Sequence, residues 1–515
     1  MDFSVKYKFR KDESIILFLS LVSIIYQLYF YNTLGFHRDE LLYFSLGEHL
    51  DFGYQSVPPL IGLLAFVSAK IFGYTLFAAK VFPAVAGGFI VYLSASIARE
   101  MNGKTYAQML AALGLAGSIL FLRAFSLFQP VCFDILSWTL SFYLIIKYIN
   151  TEKDKFIYWL GVTLGVALLN KYNIIFLILP LLIVLPGTRF RNLFARRSVY
   201  IAVLIAFVIV LPNLIWQIVN HFPVISHMSE LRRTQLENVS AREFFSEQFL
   251  MIFPATILAA PGLLYLFLSM KMRKYLLPAL MAVLVIILYL LFHGKGYYAA
   301  GIYPFLIAAG GVFFEKVLKR YYLRIPLVFV LLFLSWSVLP IGKPIYSPEK
   351  LVRYFDHVQA VTGDDSSRRF EDNTYHQLPQ DYADMLGWDE LAQITNRAWQ
   401  QVQDKNSCMI YCENYGEAGA IAILGKKYKL PEPLSFNDAF GYWLPRSFNT
   451  EIKTLIYING EPGDDIKNLF ADIQEIGRIS NPLAREFGCG VYLCRNPRTS
   501  FNVFWEERVK EVSAE

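Results

Sequence analysis

Charged residues are scarce in this sequence. Only 17% of its 515 residues are Asp, Glu, Lys or Arg, whereas 55% are hydrophobic. In a typical soluble protein about 25% of the residues are charged, so the composition argues against a soluble globular chain. The formal net charge of +6 does not require a nucleic-acid partner. Most Lys and Arg residues lie in short loops between apolar segments, where the orientation rules of membrane proteins account for them.

Signals for secretion and for metal coordination are also missing. The first apolar run has a basic start but lacks a small-residue cleavage site, so we interpret it as a retained membrane span. The chain has five cysteines but no CxxC motif and no Cys/His spacing typical of a metal site. Four cysteines lie in the polar C-terminal part, where an oxidising compartment would permit disulfides, and paired and free thiols both remain open. These four are Cys408, Cys412, Cys489 and Cys494.

Long apolar runs are abundant instead. Segments such as "YIAVLIAFVIVLPNLIWQIV" and "YLLPALMAVLVIILYLLF" are long enough to cross a bilayer core of about 30 Å. The sequence therefore predicts an α-helical polytopic membrane protein with about eleven transmembrane helices. The predicted spans lie near residues 14–34, 79–98, 106–122, 130–147, 156–170, 172–186, 198–217, 246–270, 275–292, 298–315 and 325–341.

The basic loops predict the orientation of these spans. One Lys/Arg cluster precedes the first span, and others follow the second, fourth, sixth, eighth and tenth spans. All six clusters fall on the cytoplasmic side if the N-terminus is cytoplasmic. A span at 58–76 would break this agreement, so we place 36–57 and 58–76 at the outer face as interfacial helices. The N-terminal cluster consists of Lys6, Lys8, Arg10 and Lys11.

The composition changes from apolar to polar near residue 345. We therefore predict a transmembrane domain at 1–344, with an outer interfacial loop at 35–78, and a small external α/β domain at 345–515. In the second domain, predicted strands alternate with predicted helices, which is typical of an α/β fold. The strands are "SCMIYCEN", "TLIYING" and "GCGVYLC", and the helices are "WDELAQITNRAWQQV", "YGEAGAIAIL" and "DDIKNLFADIQEIG".

Ionisable residues at membrane depth are the candidate functional groups, because leaving them there is costly. Asp39 and Glu40 begin the first outer loop, and Asp134 precedes the inner-boundary Lys147 by about 20 Å of helix. A cavity at this outer face could hold an anionic, lipid-linked substrate, with lysines on its phosphate and a carboxylate as general base. The other candidates near this face are Lys171, His221, His227, Glu230, His293, Lys295, Tyr297 and Tyr298.

Each of these residues also has a structural explanation. Asp39 and Glu40 are typical of the first turn of a helix. Asp134 could cap its span or pair with Arg123. The lysines could be interfacial anchors whose ammonium groups reach the water. The tyrosines could belong to the aromatic belt of the membrane. For any single loop histidine, a surface position is the favoured explanation.

Several motifs resemble those of a known family. The first outer loop reads "RDELLYFSLGEHLDFGYQSVPPL", and later segments read "GVALLNKYNIIFLILP", "PNLIWQIVNHFPVISH", "GKGYYAAGIYP" and "ENYGEAGAIAILGKKYKLPEPLS". Together they resemble the polytopic GT-C glycosyltransferases, specifically the bacterial glycosyltransferase family 39-like group. That group is related to the protein O-mannosyltransferases and to the aminoarabinose transferase of lipid A.

This resemblance implies a glycosyltransferase of the bacterial inner membrane. The enzyme would transfer a sugar from a polyprenyl-phosphate donor to an external lipid, glycan or protein acceptor, with inversion at the anomeric carbon. By resemblance, Asp39 is the catalytic carboxylate and Asp134 occupies a second acidic position. The candidate catalytic set is Asp39, Glu40 and Asp134. The candidate donor-phosphate or cavity set is Lys171, Lys295, Tyr297, Tyr298 and His227.

The chain also departs from the aminoarabinose branch of this family. That branch has Glu-Lys before Pro-Pro and an Arg three residues after the catalytic Asp, whereas this chain has Ser56, Val57 and Leu42. The resemblance therefore does not extend to lipid A specificity or to a structural zinc. No cofactor is identified, and the need for a divalent metal stays open.

The alternative function is a transporter or flippase for lipid-linked intermediates. Eleven spans with intramembrane charges would suit such a protein as well. Against it, the sequence shows no internal repeat of the kind that many transporters contain. Its charges also gather at one face, whereas transporter sites lie near the midplane of the bilayer.

Overall fold

The computed structural model describes residues 11–514 and divides the chain into two compact units. The first unit contains the chain up to Tyr31 together with Val57–Leu60 and Lys80–Ile345. The second unit contains Asn32–Ser56, Ile61–Ala79 and the chain from Tyr346 onwards. Three members of the N-terminal basic cluster, Lys6, Lys8 and Arg10, lie outside the described residues.

The first unit consists of helices. Within residues 11–514, six helices are long and apolar enough to cross a membrane, judged by length and composition. Each of the eleven predicted spans overlaps an apolar helix, and the number that cross the bilayer stays a prediction. The helices are Lys11–Tyr29, Leu76–Glu100, Thr105–Ala116, Ile119–Ala124, Pro130–Thr151, Lys155–Asn170, Ile175–Val184, Arg197–Val219, Pro223–Thr234, Ala241–Leu250, Thr256–Leu268, Leu276–Leu291, Tyr303–Val317 and Tyr321–Gly342.

Two predicted spans are interrupted in the structure. The segment predicted at 246–270 is divided between two helices. The first helix ends at Leu250, and the second begins at Thr256. Pro254 explains the break, because proline lacks an N–H and disfavours a helical residue before it. The segment predicted at 106–122 is likewise divided at Gly117 and Ser118.

Small residues allow helices of the first unit to approach closely. A Cβ atom at Gly310, on Tyr303–Val317, would lie 2.0 Å from the carbonyl oxygen of Leu258. Only glycine fits at such a distance, and small residues at helix contacts are typical of membrane bundles. The helix Thr256–Leu268 therefore packs directly on the backbone of its neighbour.

The second unit contains a sheet in its described residues. Strands β1 (Cys408–Cys412), β2 (Thr454–Asn459), β3 (Phe470–Arg478) and β4 (Gly490–Pro497) form a sheet of order β1-β2-β4-β3. The β1–β2 pair is parallel and the other two pairs are antiparallel. The small C-terminal α/β domain is confirmed. Its helices are Arg38–Glu48, Leu60–Phe72, Pro348–Thr362, Gln380–Ala383, Trp388–Gln400, Tyr415–Leu424, Asp464–Leu469 and Phe501–Ala514.

One predicted helix of this domain is wrong over half of its length. In "DDIKNLFADIQEIG" only Asp464–Leu469 is helical, and the rest is strand β3. Strand β4 offers an open edge, and pairing with it satisfies the backbone groups of Phe470–Arg478. Such tertiary pairing overrides a local preference for helix.

All five cysteines are free and buried. Strand β2 lies between β1 and β4. Because neighbouring strands are about 4.8 Å apart, β1 and β4 are separated by about 9.5 Å. That separation exceeds the Cα distance that a disulfide can bridge, so Cys408 and Cys412 cannot pair with Cys494. The thiol of Cys489 donates to Glu417 Oε1 at 3.2 Å.

The segment 35–78, predicted as an outer loop, lies in the second unit except for Val57–Leu60, whereas the sequence analysis grouped it with the transmembrane domain. Its helix Arg38–Glu48 packs on helix Tyr415–Leu424. A Cβ atom at Gly419 would lie 3.0 Å from the carbonyl carbon of Leu41. The two helices therefore meet backbone to backbone at this glycine.

We predict that Gly419→Leu lowers the free energy of unfolding by about 1–3 kcal/mol, because overpacking forces neighbouring atoms to move. Gly460→Leu is the matched control, since a Cβ atom at Gly460 has nothing within 4 Å. The midpoint of thermal unfolding of the full-length protein in detergent should fall for the first variant only. Equal midpoints for the two variants would contradict the close packing.

Candidate active site

Asp134 lies in a hydrogen-bonded set within the first unit. It is on the first turns of helix Pro130–Thr151, and only 5% of its surface is exposed. Its Oδ1 accepts a hydrogen bond from Trp138 Nε1 at 3.0 Å, and its Oδ2 accepts one from Asn173 Nδ2 at 2.7 Å. Burial of a carboxylate is costly unless its oxygens are paired, so these two donors explain how the chain tolerates Asp134.

Asn173 connects three segments of the first unit. Besides its bond to Asp134, its Nδ2 donates to the carbonyl oxygen of Tyr298 at 3.2 Å. Its Oδ1 accepts a hydrogen bond from the hydroxyl of Tyr289 at 2.5 Å. The amide thereby fixes the orientation of the Asp134 carboxylate against the Tyr-rich segment Gly296–Ile302.

Lys171 lies beside this set, at the break after helix Lys155–Asn170. Its Nζ is 4.8 Å from the ring centroid of Tyr298 and 5.4 Å from that of Tyr297, within the range of cation–π interactions. Its charge also interacts with the charges of Asp134 and Lys295. The structure therefore brings together five of the eight predicted site residues, in a cluster with two lysines that suit a phosphate. These five are Asp134, Lys171, Lys295, Tyr297 and Tyr298.

His227 is not part of this cluster. It lies on helix Pro223–Thr234, none of whose residues is buried. In residues 11–514, no hydrogen bond or ion pair links it to Asp134 or Lys171. Its predicted contact with a donor therefore has no geometric support in this structure and stays a prediction.

Asp39 and Glu40 differ in their surroundings within the second unit. Glu40 has no exposed surface, and its Oε2 accepts the backbone N–H of His37 at 2.9 Å. His37 Nδ1 in turn accepts the backbone N–H of Asp39 at 3.1 Å, which completes a reciprocal cap on helix Arg38–Glu48. Glu40 is thus committed to starting the helix, as the structural explanation expects.

The Asp39 carboxylate keeps access to solvent. Its side chain is 26% exposed, and its Oδ1 accepts a hydrogen bond from the hydroxyl of Tyr415 at 2.9 Å. A carboxylate that is oriented by a donor and still reachable by solvent has the properties of a general base. Of the two adjacent carboxylates, Asp39 therefore has the geometry that suits a general base better.

Further charges surround His37, which is 3% exposed. Its Nε2 lies 3.8 Å from Asp384 Oδ2 and 3.9 Å from Asp381 Oδ1, and its Nδ1 lies 3.9 Å from Asp39 Oδ2. Burial opposes the charged imidazole, but these carboxylates outweigh it and raise the pKa of His37 to about 9. A charged imidazole carries a proton on both nitrogens, so Nδ1 accepts the backbone N–H of Asp39 only while His37 is neutral. Burial raises the pKa of Asp384 to about 6, although His37 and Arg485 act in the opposite direction.

The chain resembles known proteins in sequence and in fold. Residues 56–216 match the sequence model of the family described as dolichyl-phosphate-mannose-protein mannosyltransferase. The crystal structures of ArnT from Cupriavidus metallidurans, one in the apo state and one bound to undecaprenyl phosphate, each cover 93% of this chain and 97% of their own. Their TM-score is 0.64 at 13% sequence identity, which establishes the fold.

The chain therefore has the fold of ArnT. It is a membrane protein with several apolar helices. A curated relative is the lipid A galacturonosyltransferase RgtD from Rhizobium johnstonii, which is 26% identical over 247 residues. That alignment covers 44% of this chain and 49% of RgtD, so the chain spans about half the length of this relative.

Sequence reasoning missed several residues around Asp39 and Asp134. Asn173 stands two positions after the predicted Lys171, and a polar residue inside an apolar run is a signal that could have identified it. His37 directly precedes the Arg-Asp-Glu motif and offered a similar signal. Tyr415 gave none, because it is 376 residues from its partner Asp39. Trp138 reads as an ordinary apolar residue of its helix.

The described residues give no ligand set for a metal. Among residues 11–514, no group of three or more His, Cys, Asp or Glu side chains is arranged to hold a metal ion.

We predict that Asn173→Ala destabilises the protein, because it leaves Asp134 Oδ2 and the Tyr289 hydroxyl without these partners. A stranded buried polar group costs about 1–3 kcal/mol. Asn220→Ala is the matched control, since Asn220 Nδ2 donates only to the carbonyl oxygen of Trp216 in its own helix turn. The thermal unfolding midpoint in detergent should fall further for Asn173→Ala. A midpoint no lower than that of the control would show that Asn173 does not hold Asp134.

Proposed function

We propose that this protein is a glycosyltransferase that moves a sugar from a polyprenyl-phosphate donor to a lipid or glycan acceptor. The relatives support this proposal. The matching family is named for a dolichyl-phosphate sugar, RgtD acts on lipid A, and one ArnT structure is bound to undecaprenyl phosphate. The family name also leaves a protein acceptor as the second choice.

The observation that carries the proposal is the contrast between Asp39 and Glu40. Glu40 is buried in the helix cap, whereas Asp39 is solvent-reachable and oriented by a tyrosine hydroxyl. In the proposed reaction, an acceptor oxygen attacks the anomeric carbon and Asp39 takes its proton. The bond from that carbon to the phosphate oxygen breaks, and polyprenyl phosphate leaves with inversion at the carbon.

The Asp134 cluster would serve the donor. Lys171 and Lys295 provide positive charge for the phosphate, whose negative charge increases as it leaves. Asp134 interacts with the charge of Lys171, and the rings of Tyr297 and Tyr298 lie within cation–π distance of its ammonium. These contacts would keep the Lys171 ammonium in place before the donor binds.

We further propose that the protein lies in the bacterial inner membrane, with a cytoplasmic N-terminus and an external C-terminal domain. The six basic clusters support this orientation, because basic loops are enriched on the cytoplasmic side. The chemistry would then take place at the outer face. The transporter alternative has no specific observation in its favour, since the relatives named above are glycosyltransferases.

We predict that Asp39→Asn lowers sugar transfer by about 10²–10⁴-fold, the usual contribution of general acid–base catalysis. Purified protein in liposomes would be given undecaprenyl-phosphate mannose or undecaprenyl-phosphate galacturonic acid, with total membrane lipid as acceptor. Transfer to lipid would be measured by mass spectrometry.

Asp51→Asn is the matched control in the same outer loop. Asp51 is exposed, and its Oδ1 accepts the backbone N–H of the adjacent Phe52, so transfer should stay within about twofold of wild type. Retention of near wild-type transfer by Asp39→Asn would show that Asp39 is not the base. A thermal unfolding midpoint for each variant excludes loss of the fold as the cause.

A further inference from the structure

Tyr415 links the C-terminal domain to the proposed catalytic carboxylate. It is the first residue of helix Tyr415–Leu424, and its hydroxyl donates to Asp39 Oδ1 at 2.9 Å. The two residues belong to the same compact unit although they are 376 residues apart in the sequence. The contact therefore exists only when the first outer loop and the C-terminal domain are folded together.

The start of the Tyr415 helix is held firmly. Asn414 Oδ1 accepts the backbone N–H groups of Gly416 and Glu417 at 2.9 and 3.0 Å. Glu417 Oε2 accepts the backbone N–H of Asn414 at 3.2 Å, which completes a reciprocal cap. Gly419, one turn later, meets the backbone of Leu41. Tyr415 and Asp39 therefore each lie at the start of a capped helix, and these two helices pack directly against each other.

The ring of Tyr415 has a second partner. The guanidinium carbon of Arg38 lies 4.3 Å from its centroid, within cation–π range. Burial and the neighbouring Asp39 raise the pKa of Tyr415 well above its ordinary value. The hydroxyl therefore stays protonated at neutral pH and acts as the donor to Asp39, while Arg38 fixes the plane of the ring.

We propose that Tyr415 is a positioning residue that fixes the Asp39 carboxylate for sugar transfer. Its hydroxyl donates to Oδ1 and thereby fixes the direction in which the carboxylate faces. The C-terminal domain thereby supplies part of the active site. This inference rests on the proposed function, because it assumes that Asp39 is the general base. A base held in its reactive orientation needs no reorganisation when the reaction occurs.

The contact itself is tested by a double-mutant cycle of Tyr415→Phe and Asp39→Ala in the detergent-purified full-length protein. If the two side chains are bonded, the shift in thermal unfolding midpoint of the double variant is smaller than the sum of the single shifts. Additive shifts would overturn the inference. This measurement needs no substrate and is independent of the proposed reaction.

The positioning role is tested by the kinetics of Tyr415→Phe. With undecaprenyl-phosphate mannose and undecaprenyl-phosphate galacturonic acid as donors, we expect kcat to fall about tenfold while KM for the donor stays within twofold. Tyr457→Phe is the matched control, because the Tyr457 hydroxyl donates to Glu413 Oε1 at 2.6 Å in the same domain. It should leave both constants unchanged.

The outcomes separate this inference from the proposed function. If Asp39→Asn keeps wild-type transfer, the proposed base is wrong. If Asp39→Asn loses transfer while Tyr415→Phe behaves like Tyr457→Phe, only the positioning role is wrong. A rise in KM without a fall in kcat would also overturn it, because that pattern indicates lost substrate binding.

Discussion

The close contact between helices Arg38–Glu48 and Tyr415–Leu424 is the constraint on which the proposed chemistry depends. Gly419 lets the two backbones meet, and a larger side chain would separate them. Because the helices touch, Tyr415 reaches Asp39 and Arg38 covers its ring. The reciprocal caps at the starts of both helices then fix the backbone that carries Asp39 and Tyr415. Packing at one glycine thus determines the geometry of a carboxylate that is encoded far away in the sequence.

The need to satisfy buried polar groups shapes the first unit in a comparable way. Asp134 is tolerated among apolar helices because Trp138 and Asn173 bond both of its oxygens. Asn173 uses its remaining capacity on Tyr289 and on the segment that carries Tyr298. One buried carboxylate therefore organises three segments. The same arrangement keeps the Lys171 ammonium beside a carboxylate and two aromatic rings, which stabilise its positive charge.

Apolar periodicity and composition predicted the helices of the first unit and the change to an α/β domain, because burial in lipid or in a core leaves a direct record in the sequence. Strand β3 was missed, since its pairing with β4 is a tertiary effect. The break near Pro254 could have been predicted from the sequence, because proline interrupts helices. The Asp134 cluster followed from ionisable residues at membrane depth, whereas the partnership of Tyr415 with Asp39 left no local signal.

The most direct test of the account is a comparison of the glycans and glycolipids of the source organism with and without this gene. Mass spectrometry should reveal a species in the wild type that is heavier by one sugar residue and is absent from the deletion strain. The wild-type gene should restore that species and an Asp39→Asn gene should not. Identical glycan and glycolipid profiles in the two strains, or full restoration by the Asp39→Asn gene, would contradict the account.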